Sequence, residues 1–239
     1  MAAPPDGSVL GPLADDLAVA ALLLARRFAA GGTLWCWSPG QPAHAHHVAV
    51  EFVHPVVMGT RALPAAVVTA TDAAAELRPV ARPGDVLLAV APDDPDVAAT
   101  LRRATAWGLA TLWLGDGPRP PAGAADGVLW LGTGDGPDAL AGHDGRFVLA
   151  YHLLWELTHV CFEHPGLLVE EPACEGPACT TCSDEGRLGE VVGAEGTSAT
   201  VRTATGLEPV DTTIVGAVGP GDLVLVHAGT AIAVVGAGG

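Results

Sequence analysis

The sequence predicts an α/β domain built on a parallel sheet with helices on both faces, followed by a small β-barrel. Three observations predict this. Residues 10–165 alternate helical and strand-like patterns, the signature of parallel strands joined by crossover helices. Residues 166–179 carry Glu170, Glu171, Pro172, Glu175 and Pro177 and show no periodicity, so they read as a linker. From Arg187 onward short strand-like runs punctuated by Gly and Pro replace the helical pattern, as in small barrels. The predicted boundaries are 1–165 for the α/β domain, 166–181 for the linker and 182–239 for the barrel.

The elements follow in order. Asp15 to Phe28 is predicted helical, because Leu17, Ala20, Ala21, Leu24 and Phe28 share one face. Gly31-Gly32 stop it. Thr33–Trp37 reads as a short buried strand, Ala43–Val53 as a helix and Ala65–Thr69 as a strand. Pro83-Gly84-Asp85 turns the chain into the strand Val86–Ala91. Asp94–Trp107 is a helix with acids in its first turn and arginines later, an order that suits the helix dipole. Leu109–Leu114 and Val128–Leu131 are two more strands, and Asp138–Phe162 is a long closing helix. In the C-terminal part the expected strands are Glu190–Ala194, Ser198–Thr203, Pro209–Ile214 and Leu223–His227. A domain this small buries little core, so it is expected to lean on a partner or on the first domain.

Composition narrows the function classes. The net charge is −16 and the chain has no lysine, so the clustered Lys/Arg needed for phosphate backbones is absent and no nucleic-acid partner is expected. No run reaches the roughly 18 apolar residues of a membrane span. Pro4, Pro5 and Asp6 stand where a signal peptide carries positive charge, so the expected location is cytoplasmic. Of five cysteines, Cys36 and Cys161 lie in apolar surroundings and read as core residues. Cys174, Cys179 and Cys182 cluster in a polar stretch, which in a cytosolic chain points to metal or redox chemistry.

The most specific string is Gly221-Asp222-Leu223-Val224-Leu225-Val226-His227-Ala228-Gly229-Thr230-Ala231-Ile232. It resembles the closing motif of the HypC/HupF hydrogenase formation chaperones: a Gly-Asp turn, an apolar strand, then His-x-Gly-x-Ala-Ile. The resemblance implies an OB-like barrel that binds a HypD-like scaffold protein and carries iron with cyanide and carbon monoxide ligands to the hydrogenase large subunit. It implies a thiolate from Cys182, with Cys179 as the alternative, and His227 nearby. A thiolate is a soft, strongly donating ligand and imidazole suits iron, so the donor types fit the cargo. Here the cysteine is internal rather than directly behind an initiator Met, and Ser183 stands where the family has proline.

The first domain resembles the sugar isomerase (SIS) domains, phosphoheptose isomerases above all. The resemblance rests on Gly31–Trp35, Ala45–Phe52, Leu63-Pro64-Ala65, Pro83–Leu88 and the histidines His152 and His159. His47 and Glu51 are four residues apart and share a helix face. The resemblance makes them a metal-binding histidine and a catalytic glutamate, makes His159 the second histidine, and puts Tyr151 where the family has a glutamine ligand. His44, His46 and His152 add further imidazoles. A His/Glu/His set suits zinc or iron. The family cradles phosphate in two Ser/Gly-rich loops, whereas these positions read Ser38-Pro39-Gly40-Gln41-Pro42 and Ala91-Pro92-Asp93-Asp94-Pro95-Asp96. Prolines donate no hydrogen bond, and even a screened like-charge pair at 4 Å costs roughly 1–4 kcal/mol. Phosphosugar binding is therefore expected to be lost, and independent catalysis is not expected.

Together these features predict a hydrogenase maturation chaperone fused to an SIS-type dimerisation or docking domain. Its expected partners are a HypD-like protein, the hydrogenase large subunit and a second copy of itself. The alternatives are a metal-dependent phosphosugar isomerase and an SIS-type ligand sensor. The acidic loop 93–96 suits a non-phosphorylated or cationic ligand in the second of these.

Overall fold

The computed structural model describes residues 13–55, 57, 59–131, 143–169 and 186–236. The first domain runs α1 (Ala14–Ala29), β1 (Leu34–Trp37), α2 (Pro42–Val53), β2 (Ala65–Val68), α3 (Ala73–Leu77), β3 (Val86–Val90), α4 (Pro95–Ala106), β4 (Ala110–Gly115), β5 (Gly127–Trp130) and α5 (His143–Glu163). Its five strands are all parallel, in the order β2-β1-β3-β4-β5. The second domain is a closed barrel of β6 (Arg187–Glu195), β7 (Ser198–Thr203), β8 (Gly206–Asp211), β9 (Leu223–His227) and β10 (Thr230–Gly236).

The two faces of the sheet bury different helices. In β3 every residue is buried, and alternation splits them: Val86, Leu88 and Val90 face one layer, Leu87 and Ala89 the other. The first layer is α1, α2 and α5, through residues such as Leu24, Phe28, Val48, Phe52, Ala150 and Leu154. The second is α3 and α4, through Leu77, Val97 and Leu101. This two-sided burial is why the strands read as continuous apolar runs.

Asp85 ties the leading ends of the sheet together. It is buried, and its carboxylate accepts from the Thr33 and Arg82 amides and from Trp35 Nε1, each at 2.9 Å. The chain passes so close there that a Cβ on Gly32 would lie 2.6 Å from the Gly84 carbonyl.

Several predicted bounds shift. The long helix is seen from His143 to Glu163, and residues 138–142 lie outside the described residues. The five-residue α3, capped by Asp72 accepting from the Ala75 amide, is too short to show a period. β8 starts at Gly206, not Pro209, so Pro209 sits inside the strand opposite Thr200. That is tolerated because β8 meets β10 only at Asp211, leaving its other edge without ladder bonds at the proline. β10 returns from β9 through Ala228 and Gly229, both at positive φ, a tight hairpin that the sequence pattern did not separate from β9.

The barrel docks on the α3/α4 side of the sheet. Leu223 at the start of β9 belongs to that second core, and Glu190 of β6 is almost fully buried against it. The Glu190 carboxylate accepts from Arg78 (2.6 Å), Arg103 (3.0 Å) and Trp107 Nε1 (2.8 Å), while Arg103 also donates to the Gly221 carbonyl. A buried carboxylate is stable only with such partners.

Candidate functional site

The site forms where α2 and α5 run side by side. α2 opens on Pro42, whose fixed φ suits the first turn. It buries Ala45, Val48, Ala49 and Phe52, which leaves His47 and Glu51 on the flank facing α5. α5 buries Phe147, Ala150, Tyr151 and Leu154. His152 follows Tyr151 by about 100° of helical turn, so it emerges at the margin beside α2.

Three donor atoms converge there. His47 Nε2 and Glu51 Oε1 are 3.3 Å apart, His152 Nε2 and Glu51 Oε1 3.3 Å, and the two Nε2 atoms 3.2 Å. A tetrahedral zinc with ligands at about 2.0–2.1 Å requires donors about 3.3 Å apart. The triangle therefore fits a divalent metal. His47 Nδ1 lies 2.8 Å from the Tyr151 hydroxyl, which fixes the ring and leaves Nε2 for coordination. His47 and His152 keep about two fifths of their side-chain surface exposed and Glu51 about a fifth, so a fourth position faces solvent.

His159, expected as the second histidine, is not in this group. Its Nδ1 is 2.9 Å from the Trp155 carbonyl and its Nε2 3.0 Å from the Arg61 carbonyl, with the ring stacked on Phe52. The reason is axial position. Seven residues separate it from His152, about two turns and 10 Å along α5, so only one of them can stand level with His47 and Glu51. Tyr151, which stands where the resemblance puts a glutamine ligand, has its hydroxyl 2.8 Å from His47 Nδ1.

Beside the cluster is a cleft of about 380 Å³ lined by Gln41, Pro42, Ala43, His44, His47, Val148 and Tyr151. It begins at the first of the two loops. In each loop one polar side chain is engaged by the protein's own backbone. Ser38 is buried and its hydroxyl donates to the Val90 carbonyl at 2.7 Å. At the second loop the Asp94 carboxylate caps α4, accepting from the Asp96 amide at 2.7 Å. A helix start already satisfied by its own carboxylate repels an incoming anion.

In the barrel, His227 closes β9 next to the hairpin and pairs in register with Thr230. Cys174, Cys179 and Cys182 lie outside the described residues. Cys36 is buried in β1, and burial pushes its thiol far above the ordinary cysteine range. Burial also raises Cys161, with Arg26 pulling the other way. Both are core thiols, as their apolar surroundings predicted. Among the described residues no helix is long and apolar enough to cross a membrane.

The sequence matches no protein-family model and no curated protein. Solved structures do match. A phosphoheptose isomerase from Francisella tularensis superposes with a TM-score of 0.53 at 17% identity, over 64% of this chain and 89% of that one. The phosphoheptose isomerase GmhA from Neisseria gonorrhoeae gives 0.49 at 17%, over 65% and 89%. The sugar isomerase domain of an RpiR transcription factor from Sphaerobacter thermophilus gives 0.45 at 20%, over 65% and 82%. The first of these shows the fold: the α/β domain is SIS-like, and the chain adds a closed five-stranded barrel behind it.

Proposed function

We propose that the α/β domain is a metal-dependent SIS-type domain, holding a divalent ion at His47, Glu51 and His152 and receiving a sugar-type ligand in the cleft beside it. The observation that carries this reading is the 3.2–3.3 Å donor triangle at the mouth of that cleft. When bound, the ion supplies Lewis-acid polarisation of a carbonyl or hydroxyl oxygen, the chemistry of an aldose–ketose isomerase. Tyr151 holds the His47 ring, and His44 is buried in the cleft edge-on to Phe147 and Tyr151, so the polar groups converge on one small volume. The inward-turned Ser38 and the Asp94 cap favour an unphosphorylated or weakly charged ligand. The test is metal analysis of the purified protein, followed by NMR assays of isomerisation with sedoheptulose 7-phosphate and with sedoheptulose. About one ion per chain and a preference for the unphosphorylated sugar are expected. A chain that takes up no zinc or iron under supplementation overturns the reading. Val50, Leu149 and Val160 are exposed on the same two helices, which supports this face meeting a second copy of the chain. Sedimentation of a monomer at micromolar concentration rules that out.

A second reading is iron delivery in nickel–iron hydrogenase maturation by the barrel, with a HypD-like protein and the hydrogenase large subunit as partners and the cytoplasm as its location. It is supported by the closed barrel and by the Gly221-Asp222 turn leading to His227. The thiolate would be Cys182 or Cys179. Infrared spectra of anaerobically purified protein, with and without Cys182→Ala and Cys179→Ala, test it. Cyanide and carbonyl bands lost in one variant support the reading, and their absence after co-expression with the HypD-like partner removes it.

A further inference from the structure

The seam between the two domains holds a cavity of about 570 Å³, and three arginines line it. Arg78 of the segment after α3, Arg103 of α4 and Arg202 of β7 all line it. They are three of only eleven basic residues in a chain of net charge −16. Such a convergence runs against the overall composition.

The charges do not cancel internally. Glu190 supplies one negative charge, and both of its oxygens are taken: Oε1 by Arg78 and Arg103, Oε2 by Trp107. Arg202 stands directly opposite Glu190 in the β6–β7 ladder, yet the carboxylate turns away from it toward the helices. Arg202 Nε is buried and has no hydrogen-bond partner. A buried guanidinium donor without a partner is costly, and native proteins rarely leave one so. Asp72 on the exposed rim caps α3 and keeps its negative charge, so three arginines face two carboxylates and one positive charge is left over.

We propose that this seam is a binding site for a small anionic metabolite, whose phosphate or carboxylate groups are gripped by Arg202 and by the free edges of Arg78. The planar guanidinium fork matches the paired oxygens of either group, and the volume suits a molecule of metabolite size. Because the walls come from both domains, ligand occupancy also holds the barrel against α3 and α4. The site is separate from the His47 cluster, so its failure leaves the metal reading untouched.

The test uses the full chain. Calorimetric titrations with sodium phosphate and with sodium citrate are run against sodium chloride at matched ionic strength, on the wild type and on Arg202→Gln. Arg202 is chosen because no hydrogen bond is lost with it. Binding of either probe that weakens at least tenfold in the variant supports the proposal, and the preferred probe identifies the anionic group. Binding of neither, or equal binding by the variant, overturns it. Should the variant not fold, amide NMR shifts of the wild type decide. Shifts on phosphate or citrate addition at Val191, Val192 and Gly221 support the seam, and shifts confined to α2 and α5 refute it.

Discussion

His47, Glu51 and His152 derive their meaning from distances that no single residue discloses. The spacing of four places His47 and Glu51 on one helix face, which is visible in the sequence. Choosing between His152 and His159 requires knowing how far α5 has slid along α2, and two histidines seven apart look equivalent in any helical projection. The structure puts His152 within 3.3 Å of Glu51 and leaves His159 between two backbone carbonyls. A divergent outcome for two single variants follows. His152→Ala is expected to weaken zinc binding at least tenfold, because one of three protein donors is lost. His159→Ala is expected to leave zinc affinity within about twofold while lowering stability by about 1 kcal/mol, for the lost hydrogen bonds and packing. Competition titrations with a chromophoric chelator, beside thermal unfolding, separate the two. Zinc loss in His159→Ala with retention in His152→Ala would restore the sequence-based assignment.

At the scale of elements, the parallel strands were legible because burial on both faces makes them uniformly apolar, as in β3. α3 and β10 were not, since a helix of five residues has no measurable period and a two-residue hairpin merges two strands into one apolar run. The barrel also carries an ion pair that patterning cannot show. Arg187 of β6 and Glu208 of β8 meet across the intervening β7 in a bidentate pair, Nε to Oε1 at 3.0 Å and Nη2 to Oε2 at 2.6 Å. The Arg187 hydrogen bond holds the Glu208 carboxyl below the usual glutamate range. A lowered folded-state pKa means that the pair stabilises the barrel above the unfolded pKa of about 4.3, and that this stabilisation is lost as pH falls through the folded value. The pair is partly solvated, so Glu208→Gln is expected to cost about 0.5–1 kcal/mol at pH 7. The difference from wild type should shrink toward zero as the pH is lowered past the carboxyl's depressed pKa. Urea titrations at pH 7 and at successively lower pH check this, and a difference that persists or grows on acidification contradicts it.

For the whole molecule, the decisive contacts join residues far apart in sequence, which is why the seam was expected only as a need for support. Glu190 meets Arg78 across 112 positions and Arg103 across 87. No local pattern links these residues, and an acid in an otherwise apolar strand reads as an outward-facing position. The packing inverts that reading: Glu190 is 3% exposed and points into the first domain, beside Leu223. Removing it leaves Trp107 Nε1 without its acceptor and takes the counter-charge from Arg78 and Arg103, with Arg103 keeping only the Gly221 carbonyl, a loss of about 3 kcal/mol. The effect should fall on the barrel, whose small core of Val191, Val201, Val210, Val224 and Val226 depends on the seam for support, and not on the sheet of the first domain. Hydrogen exchange of Glu190→Ala is therefore expected to rise about 100-fold in β6–β10, the equivalent of that free energy, while β1, β3 and β4 keep wild-type protection. Equal loss of protection in both domains would mean that they unfold as one cooperative unit, with the seam as part of a common core. Loss in the barrel alone would mean that the two domains are separable, with docking set by one carboxylate and the arginines around it.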